Sequence, residues 1–320
     1  MPIRNADELT QAVLREAARA PDPRFREILS LAIRHLHAFV REAHLTEAEF
    51  HQICGVIARV GQASNASHNE VVLAAGSLGI SSLVCLLNNG NDGQTETTAN
   101  LMGPFWREGS PATADGGSIV RSATPGEPVW VQAWVRNRAG EPVVGAEVDV
   151  WQASAEGFYE NQDPAQADMN LRGKFITDSQ GSLRFSTIKP SGYPIPINGP
   201  VGDLLRAQGR HNLRPAHLHF MIHKAGYKTQ FSQVYSSDDP NLETDVQFGV
   251  TRHLIGHYQR HEHTPFPGGE HPGPWYSLEQ HFVLDAGEAR LPKAPITGKA
   301  EGPRPTLAVL ARSDNPAHPT

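Results

Sequence analysis

The sequence predicts a mainly β protein with α: a β-sandwich domain preceded by a helical N-terminal domain. Three observations carry this reading. Apolar residues between positions 24 and 90 recur about every 3.6 residues, the spacing of one helix face. From about residue 118 they alternate with polar ones, the period of a strand buried on one side. Gly, Asp and Pro turns interrupt that alternation at short intervals, as in sandwiches and barrels. The expected organisation is a helical domain over 1–110, a sandwich over 111–285 and an extended tail over 286–320.

In the helical half, Phe25, Ile28, Leu29, Ala32, Leu36, Phe39 and Val40 line one stripe. Thr46 and Glu49 form a capping-box pair, and Phe50, Ile53, Ile57 and Val60 make a second stripe that stops at Gly61. Ser67 and Glu70 repeat the capping pattern ahead of "VVLAAGSLGISSLVCLLN" (71–88), which reads as one apolar helix. Its length touches that of a membrane span. Interspersed Gly and Ser residues dilute it and no Lys or Arg flanks it closely, so it is expected to be buried between domains or subunits. "NNGNDGQ" (88–94) then ends the helical register. In the β half, "PVWVQAWVRNRAGEPVVGAEVDVWQA", "KFITDSQGSLRFSTI" and "HLHFMIHKAGYKTQFSQVY" keep period two between turns. The last stretch, rich in Pro, Ala and Arg, is expected to wrap over the surface or to be partly disordered.

The composition excludes several classes. A net charge of −6 gives no basic footprint for nucleic acid. Cys54 and Cys85 are the only cysteines and form no CxxC pair, so neither a disulfide framework nor a zinc knuckle is expected. The N-terminus has no apolar signal core. The expected location is the reduced cytoplasm, and no membrane span is expected.

"RPAHLHFMIH" (214–223) holds the chemistry. In a strand, His217 and His219 share one face, while Leu218 and Phe220 take the other. That suits a metal site on one side of a sheet and a core on the other, or two buried histidines satisfied by local hydrogen bonds. Two loops supply further donors. "VWQASAEGFYENQ" presents Tyr159, and "IKPSGYPIPINGP" presents Tyr193 among prolines that stiffen it. Phenolate is a hard anionic donor that favours Fe(III). Two of them offset most of a trivalent charge and lower the cost of burying it.

The pieces "TETTANLMGPFWREGSP", "VDVWQASAEGFY", "KFITDSQGSLRFSTIKPSGYPIP" and "RPAHLHFMI" resemble, in order and spacing, the intradiol ring-cleavage dioxygenases of the catechol 1,2-dioxygenase superfamily. "GFYENQ", "YPIPINGPVGDLL", "FGVTRHLI" and "TPFPGG" look closer to its hydroxyquinol-cleaving branch. The resemblance implies a non-haem Fe(III) held by Tyr159, Tyr193, His217 and His219, with Tyr193 the ligand released to act as a base. It implies Arg214 as counter-charge to the attacked ring carbon and Gln233 beside the metal. At 233 the chain has the glutamine of the catechol branch, where the hydroxyquinol branch has histidine. Leu101, Pro104, Val246 and Gln247 are expected to line the substrate, with Gln247 able to meet a third ring hydroxyl. Substrates would be a small aromatic diol or triol and O2: hydroxyquinol, giving 3-hydroxy-cis,cis-muconate (maleylacetate), or catechol, giving cis,cis-muconate. The helical domain would be a linker that forms a homodimer, with a phospholipid in an apolar tunnel.

Two rival readings stand beside this one. A non-catalytic β-sandwich binding module would use the tyrosines as aromatic contacts. An Fe(II) extradiol enzyme would need two histidines plus a carboxylate on one face. His253, His257 and His261 fall at helical spacing and read as a solvated helix face.

Overall fold

The computed structural model of the chain describes residues 2–89 and 97–312. The chain divides into two compact units, 1–58 and 59–320. In the first unit, α1 (Ala6–Ala17) is capped by Asn5, whose side chain accepts from the Glu8 N–H. α2 (Pro23–Glu42) begins with Pro at its first position behind an Asp22 cap. Thr10 meets His37 at 2.9 Å between the two helices. The periodic pattern predicted α2, whereas the shorter α1 was not expected. Phe25, Ile28, Leu36, Phe39 and Val40 of the α2 stripe are exposed in the single chain. α3 (Glu47–Gln62) crosses the division and starts on the expected capping box: the Thr46 N–H donates to Glu49 at 2.9 Å and Glu49 returns the bond at 3.3 Å.

The apolar run 71–88 is not one helix. It forms α4 (Glu70–Ser77) and α5 (Ile80–Asn89), bent by 74°. Gly79 sits between them at φ +72°, a left-handed conformation that ends a helix and redirects the chain. Among the described residues no single helix is long and apolar enough to cross a membrane. The cap of α4 is Asn69, accepting from Val72, not Ser67, which bonds Asn65 instead. Glu70 is buried and accepts from the Val201 N–H at 2.9 Å. Leu73 is fully buried, while Leu83, Val84 and Leu87 of α5 are exposed in the single chain.

Eleven strands follow among the described residues. They are β1 (Pro128–Asn137), β2 (Glu147–Gln152), β3 (Arg172–Ile176), β4 (Ser182–Ile188), β5 (Tyr193–Pro194), β6 (Leu213–Arg214), β7 (His217–His223), β8 (Gln230–Ser236), β9 (Ile255–Gly256), β10 (Gln259–His261) and β11 (Trp275–Leu284). They build one sheet in the order β10-β11-β1-β4, a second in the order β3-β2-β7-β8-β9, and the short ribbon β5-β6. The two larger sheets face each other. Val129, Val131, Ala133 and Val135 of β1 pack with Leu218, Phe220 and Ile222 of β7 in one core. This is the expected sandwich, and alternation explains it, since every second side chain of each strand points inward.

α6 (Pro200–Ala207), between β5 and β6, was not expected; Pro200 opens it. His253, His257 and His261 do not share a helix. His253 lies in a single 3-10 turn, His257 in a loop and His261 in β10. Residues 286–312 form no strand or helix but lie along the second unit, with Ala294 and Ile296 buried. Positions 313–320, and most of "NNGNDGQ", lie outside the described residues.

Asp149 points outward from β2 yet is buried, accepting from the Trp106 indole at 3.2 Å with Lys174 at 3.8 Å. Burial, only partly countered by Lys174 and Trp106, raises its carboxyl to about 6. A folded value above the unfolded one means that stability from this group is full below the unfolded value and is lost as pH rises through about 6. Asp149→Asn should therefore gain roughly 2–3 kcal/mol over the parent above pH 7, and the gap should close toward pH 4. Urea unfolding across that range checks this.

Candidate metal centre

The outer face of the five-stranded sheet carries a second core. Trp151 of β2 and Met221 of β7 join Tyr159, Tyr193, Phe105, Leu73, Ile195 and Val246 there. The register of three strands sets its centre. Trp151 lies opposite His219 across β2 and β7, and Gln233 lies opposite His219 across β7 and β8. His217 and His219 point outward together, and Leu218 and Phe220 inward, as the alternation predicted.

Tyr159 arrives on the loop after β2, which a buried ion-pair network holds. Arg172 on β3 donates to Glu160 at 2.6 Å, and Arg107 donates to the same carboxylate at 2.8 Å. Tyr193 arrives on β5, paired with Arg214 on β6. Four donor atoms meet at one point. The Tyr159 hydroxyl lies 2.8 Å from His219 Nε2, 3.2 Å from His217 Nε2 and 3.2 Å from the Tyr193 hydroxyl. The two Nε2 atoms are 3.0 Å apart. All four side chains are buried.

The protonation states fit a cation. His217 Nδ1 lies 2.6 Å from the Pro215 carbonyl, which leaves its Nε2 as the lone-pair atom. Burial, and then the charge of Arg214, pull His217 down to about 3, and burial likewise holds His219 neutral. His219 stacks on Trp151 at 4.6 Å, which fixes its ring plane, and its Nδ1 has no partner. Burial raises both phenols, each further above its ordinary range than Arg214 pulls it back. The fold therefore presents two neutral imidazoles and two phenols that only a strong cation among them would ionise. Two phenolic oxygens and two imidazole nitrogens suit Fe(III). Among the described residues no group of three or more His, Cys, Asp or Glu side chains is placed to hold a metal.

Arg214 comes to the same point, its Nη1 3.4 Å from His217 Nε2. Asp245 accepts from its Nε and Nη2, both at 3.0 Å. Burial alone would raise Asp245, but Arg214 and the N–H groups of Gly249 and Gln247 outweigh it and hold the carboxylate ionised. Arg214 also donates to the Tyr235 hydroxyl at 2.9 Å. Tyr235 donates to Gln233 at 2.9 Å, and Gln233 donates to the Leu101 carbonyl at 2.7 Å. One hydrogen-bonded chain thus runs from the guanidinium to the 101–105 segment. Gly103 of that segment would place an added Cβ 3.3 Å from His219, so the backbone lies directly against the imidazole.

Of the expected lining residues, Leu101, Pro104, Val246 and Gln247 are all buried. Val246 packs in the cluster that holds both tyrosines. Gln247 lies where a Cβ on Gly76 would be, 2.6 Å from its Oε1, and its Nε2 donor has no partner. Asp245, Trp151, Tyr235 and the Arg172–Glu160 pair were not foreseen. Their partners are distant in sequence: strand register sets Trp151 against His219, while Glu160 and Asp245 reach their arginines from loops.

A β-sandwich gathering two phenols and two imidazoles beside a paired guanidinium is the frame of an intradiol ring-cleaving oxygenase. Comparison with known proteins agrees. Residues 101–285 match the family model described as "Dioxygenase", and residues 22–96 the model "Catechol dioxygenase N terminus". The chain is 42% identical over 253 residues to a 6-chlorohydroxyquinol 1,2-dioxygenase of Cupriavidus pinatubonensis, covering 79% of this chain and 91% of the relative. It is 38% identical over 281 residues to a hydroxyquinol 1,2-dioxygenase of Nocardioides simplex, covering 87% and 94%. The crystal structure of a hydroxyquinol 1,2-dioxygenase from Pseudomonas putida superposes with a TM-score of 0.76 at 37% identity, covering 88% of this chain and 99% of that one. The chain belongs to the intradiol dioxygenase family, whose members are non-haem Fe(III) enzymes acting on aromatic diols and O2.

Asp245→Asn leaves Arg214 buried without its counter-charge. It should cost about 3–5 kcal/mol of stability, and Asp245→Glu less. Denaturant unfolding measures both.

Proposed function

We propose that this enzyme cleaves hydroxyquinol between its adjacent hydroxylated carbons at an Fe(III) held by Tyr159, Tyr193, His217 and His219. The observation that carries the reading is the meeting of those four donor atoms within 3.2 Å of the Tyr159 hydroxyl or of each other's nitrogens. When bound, Fe(III) supplies the Lewis acidity and electron demand that open an aromatic diolate to O2.

The chain's own residues do the rest. Tyr193, paired with Arg214 on the short ribbon, would hold iron as a phenolate, and its oxygen would take a substrate proton to become the free phenol; Tyr159 would remain the permanent phenolate. Trp151 and the Pro215 carbonyl hold the two imidazoles in orientation. Arg214 keeps its proton at any working pH and faces the charge that develops on the ring. Asp245 and Tyr235 fix it, and Gln233 ties it to the segment bearing Leu101. Leu101, Pro104 and Val246 exclude water. Insertion of both oxygen atoms gives 3-hydroxy-cis,cis-muconate, the tautomer of maleylacetate.

Two observations favour the trihydroxylated ring. The relatives named above carry hydroxyquinol names, and the free Nε2 donor of Gln247 suits a third ring oxygen. Catechol is the second reading, favoured by Gln233. In this division of labour, residues 111–285 carry the chemistry. Residues 1–110 pair two chains into a homodimer, and the exposed stripes of α2 and α5 support that pairing and an apolar pocket for a phospholipid. The location we infer is cytoplasmic.

Relative kcat/KM with product identification tests the substrate. Hydroxyquinol should exceed catechol by about 10–100-fold, and Gln247→Leu should lower that ratio about tenfold while leaving catechol turnover near its parent value. Equal ratios in parent and variant would contradict the role of Gln247. Iron-loaded protein should be red-brown from phenolate-to-iron charge transfer, and folded Tyr159→Phe should lose most of the colour.

A further inference from the structure

The segment after β11 crosses both tyrosine loops. Arg304 stacks its guanidinium over Phe158 at 4.4 Å and pairs with Glu156 at 2.6 Å and Asp163 at 3.0 Å. All three lie on the loop that carries Tyr159. The Ala300 N–H donates to the Asn161 carbonyl at 2.7 Å, and the Lys299 ammonium donates to the Gln166 carbonyl on the same loop. Three residues beyond Arg304, Leu307 reaches the point where the two loops meet. A Cβ on Gly157 would lie 3.2 Å from Leu307 and 3.0 Å from the Cβ of Tyr193.

The second anchorage is one side chain. Asn212, fully buried, donates from Nδ2 to the Ile195 carbonyl at 2.7 Å and to the Ala308 carbonyl at 2.9 Å. Its Oδ1 accepts from the Leu310 N–H at 2.9 Å. The Ile195 N–H donates to the Asn212 carbonyl at 2.8 Å, so this contact continues the ladder that pairs Tyr193 with Arg214. Both Nδ2 protons are thereby committed, one to the loop of Tyr193 and one to the tail. Losing either contact leaves a buried Asn212 N–H unpaired.

We propose that residues 299–312 are a strap that fixes the spacing of the Tyr159 and Tyr193 loops, and that Asn212 is the positioning residue that locks it. The proposal rests on the reading that both tyrosines are iron ligands. Its physical basis is separate from that reading, because the strap joins the two loops whether or not iron is bound. A phenol that must leave and return needs a loop with a fixed reference position. The strap supplies it from outside the sandwich, without adding a group to the centre. Coupling is reciprocal: if the strap orders the tyrosine loops, iron that orders the tyrosines also orders the strap.

Hydrogen exchange on the full-length enzyme, with and without iron, tests this alongside the visible spectrum and steady-state kinetics. In Asn212→Ala, exchange should quicken about tenfold in 303–312 and also in 193–198. The tyrosinate band should shift and kcat should fall more than KM changes. Leu310→Pro removes the N–H that Asn212 accepts, together with a side chain that packs against the cluster holding both tyrosines, and leaves Asn212 in place. It should give the same pattern more weakly, and it answers the question if Asn212→Ala does not fold. In the parent, iron should slow exchange in 303–312. A loosened tail with unchanged exchange in 193–198 and an unchanged tyrosinate band would overturn the strap. Absence of any tyrosinate band in the iron-loaded parent would instead overturn the ligand reading, and exchange in 193–198 would still decide the strap.

Discussion

A slip of one residue in the pairing of β7 with β2 would turn both imidazoles into the sandwich core and Leu218, Phe220 and Ile222 outward. The register that prevents this is fixed from the apolar side. Phe220 packs against Phe185 and Phe282 of the opposite sheet, and Leu218 and Ile222 fill the same core. Fully burying each such side chain is worth about 1.5–3 kcal/mol, so a slip that exposes three of them is heavily penalised. The centre thus inherits its geometry from a core with which it shares no polar atom. Trp151 opposite His219 and Gln233 on its other side follow from the same register.

Electrostatics decides what this geometry can hold. The site is buried, and the charges fixed around it are matched: Arg214 with Asp245, Arg172 with Glu160, and Arg107 with Glu160 and Asp168. The four central donors carry no charge of their own, because burial holds the imidazoles neutral and the phenols protonated. A fold that spends its charges around a neutral centre is prepared for a cation that brings its own, with two phenol protons leaving as it enters. Arg214 stands beside that centre as a fixed positive group, its direction set by two hydrogen bonds to Asp245 and one to Tyr235.

Local patterns were legible in the sequence where local physics decides. Alternation placed His217 and His219 on one face and the core on the other. The Thr46–Glu49 box and the α2 and α3 stripes reflect spacing within one helix. Tyr159 and Tyr193 stood out as candidate phenolate donors on their loops, but the full ligand set and the separate role of Tyr193 came only through a resemblance. What sequence could not show was long-range or backbone-specific. Asp245 finds Arg214 across 31 positions from a loop, and Trp151 finds His219 across 68 through strand pairing. Gly79 breaks the apolar run because its left-handed turn lets α5 leave the line of α4, which the hydrophobicity of 71–88 conceals. The histidines at 253, 257 and 261 had helical spacing but fall in a 3-10 turn, a loop and an edge strand.

The central claim is that side chains from three separate segments, two loops and one strand, enclose a single ferric ion. Anomalous diffraction at the iron edge, on crystals of the iron-loaded enzyme, tests it most directly. The account predicts one strong peak within ligand distance, about 2 Å, of the Tyr159 and Tyr193 oxygens and both Nε2 atoms of His217 and His219. A peak bound elsewhere, or one that leaves both tyrosine oxygens out of reach, would contradict it.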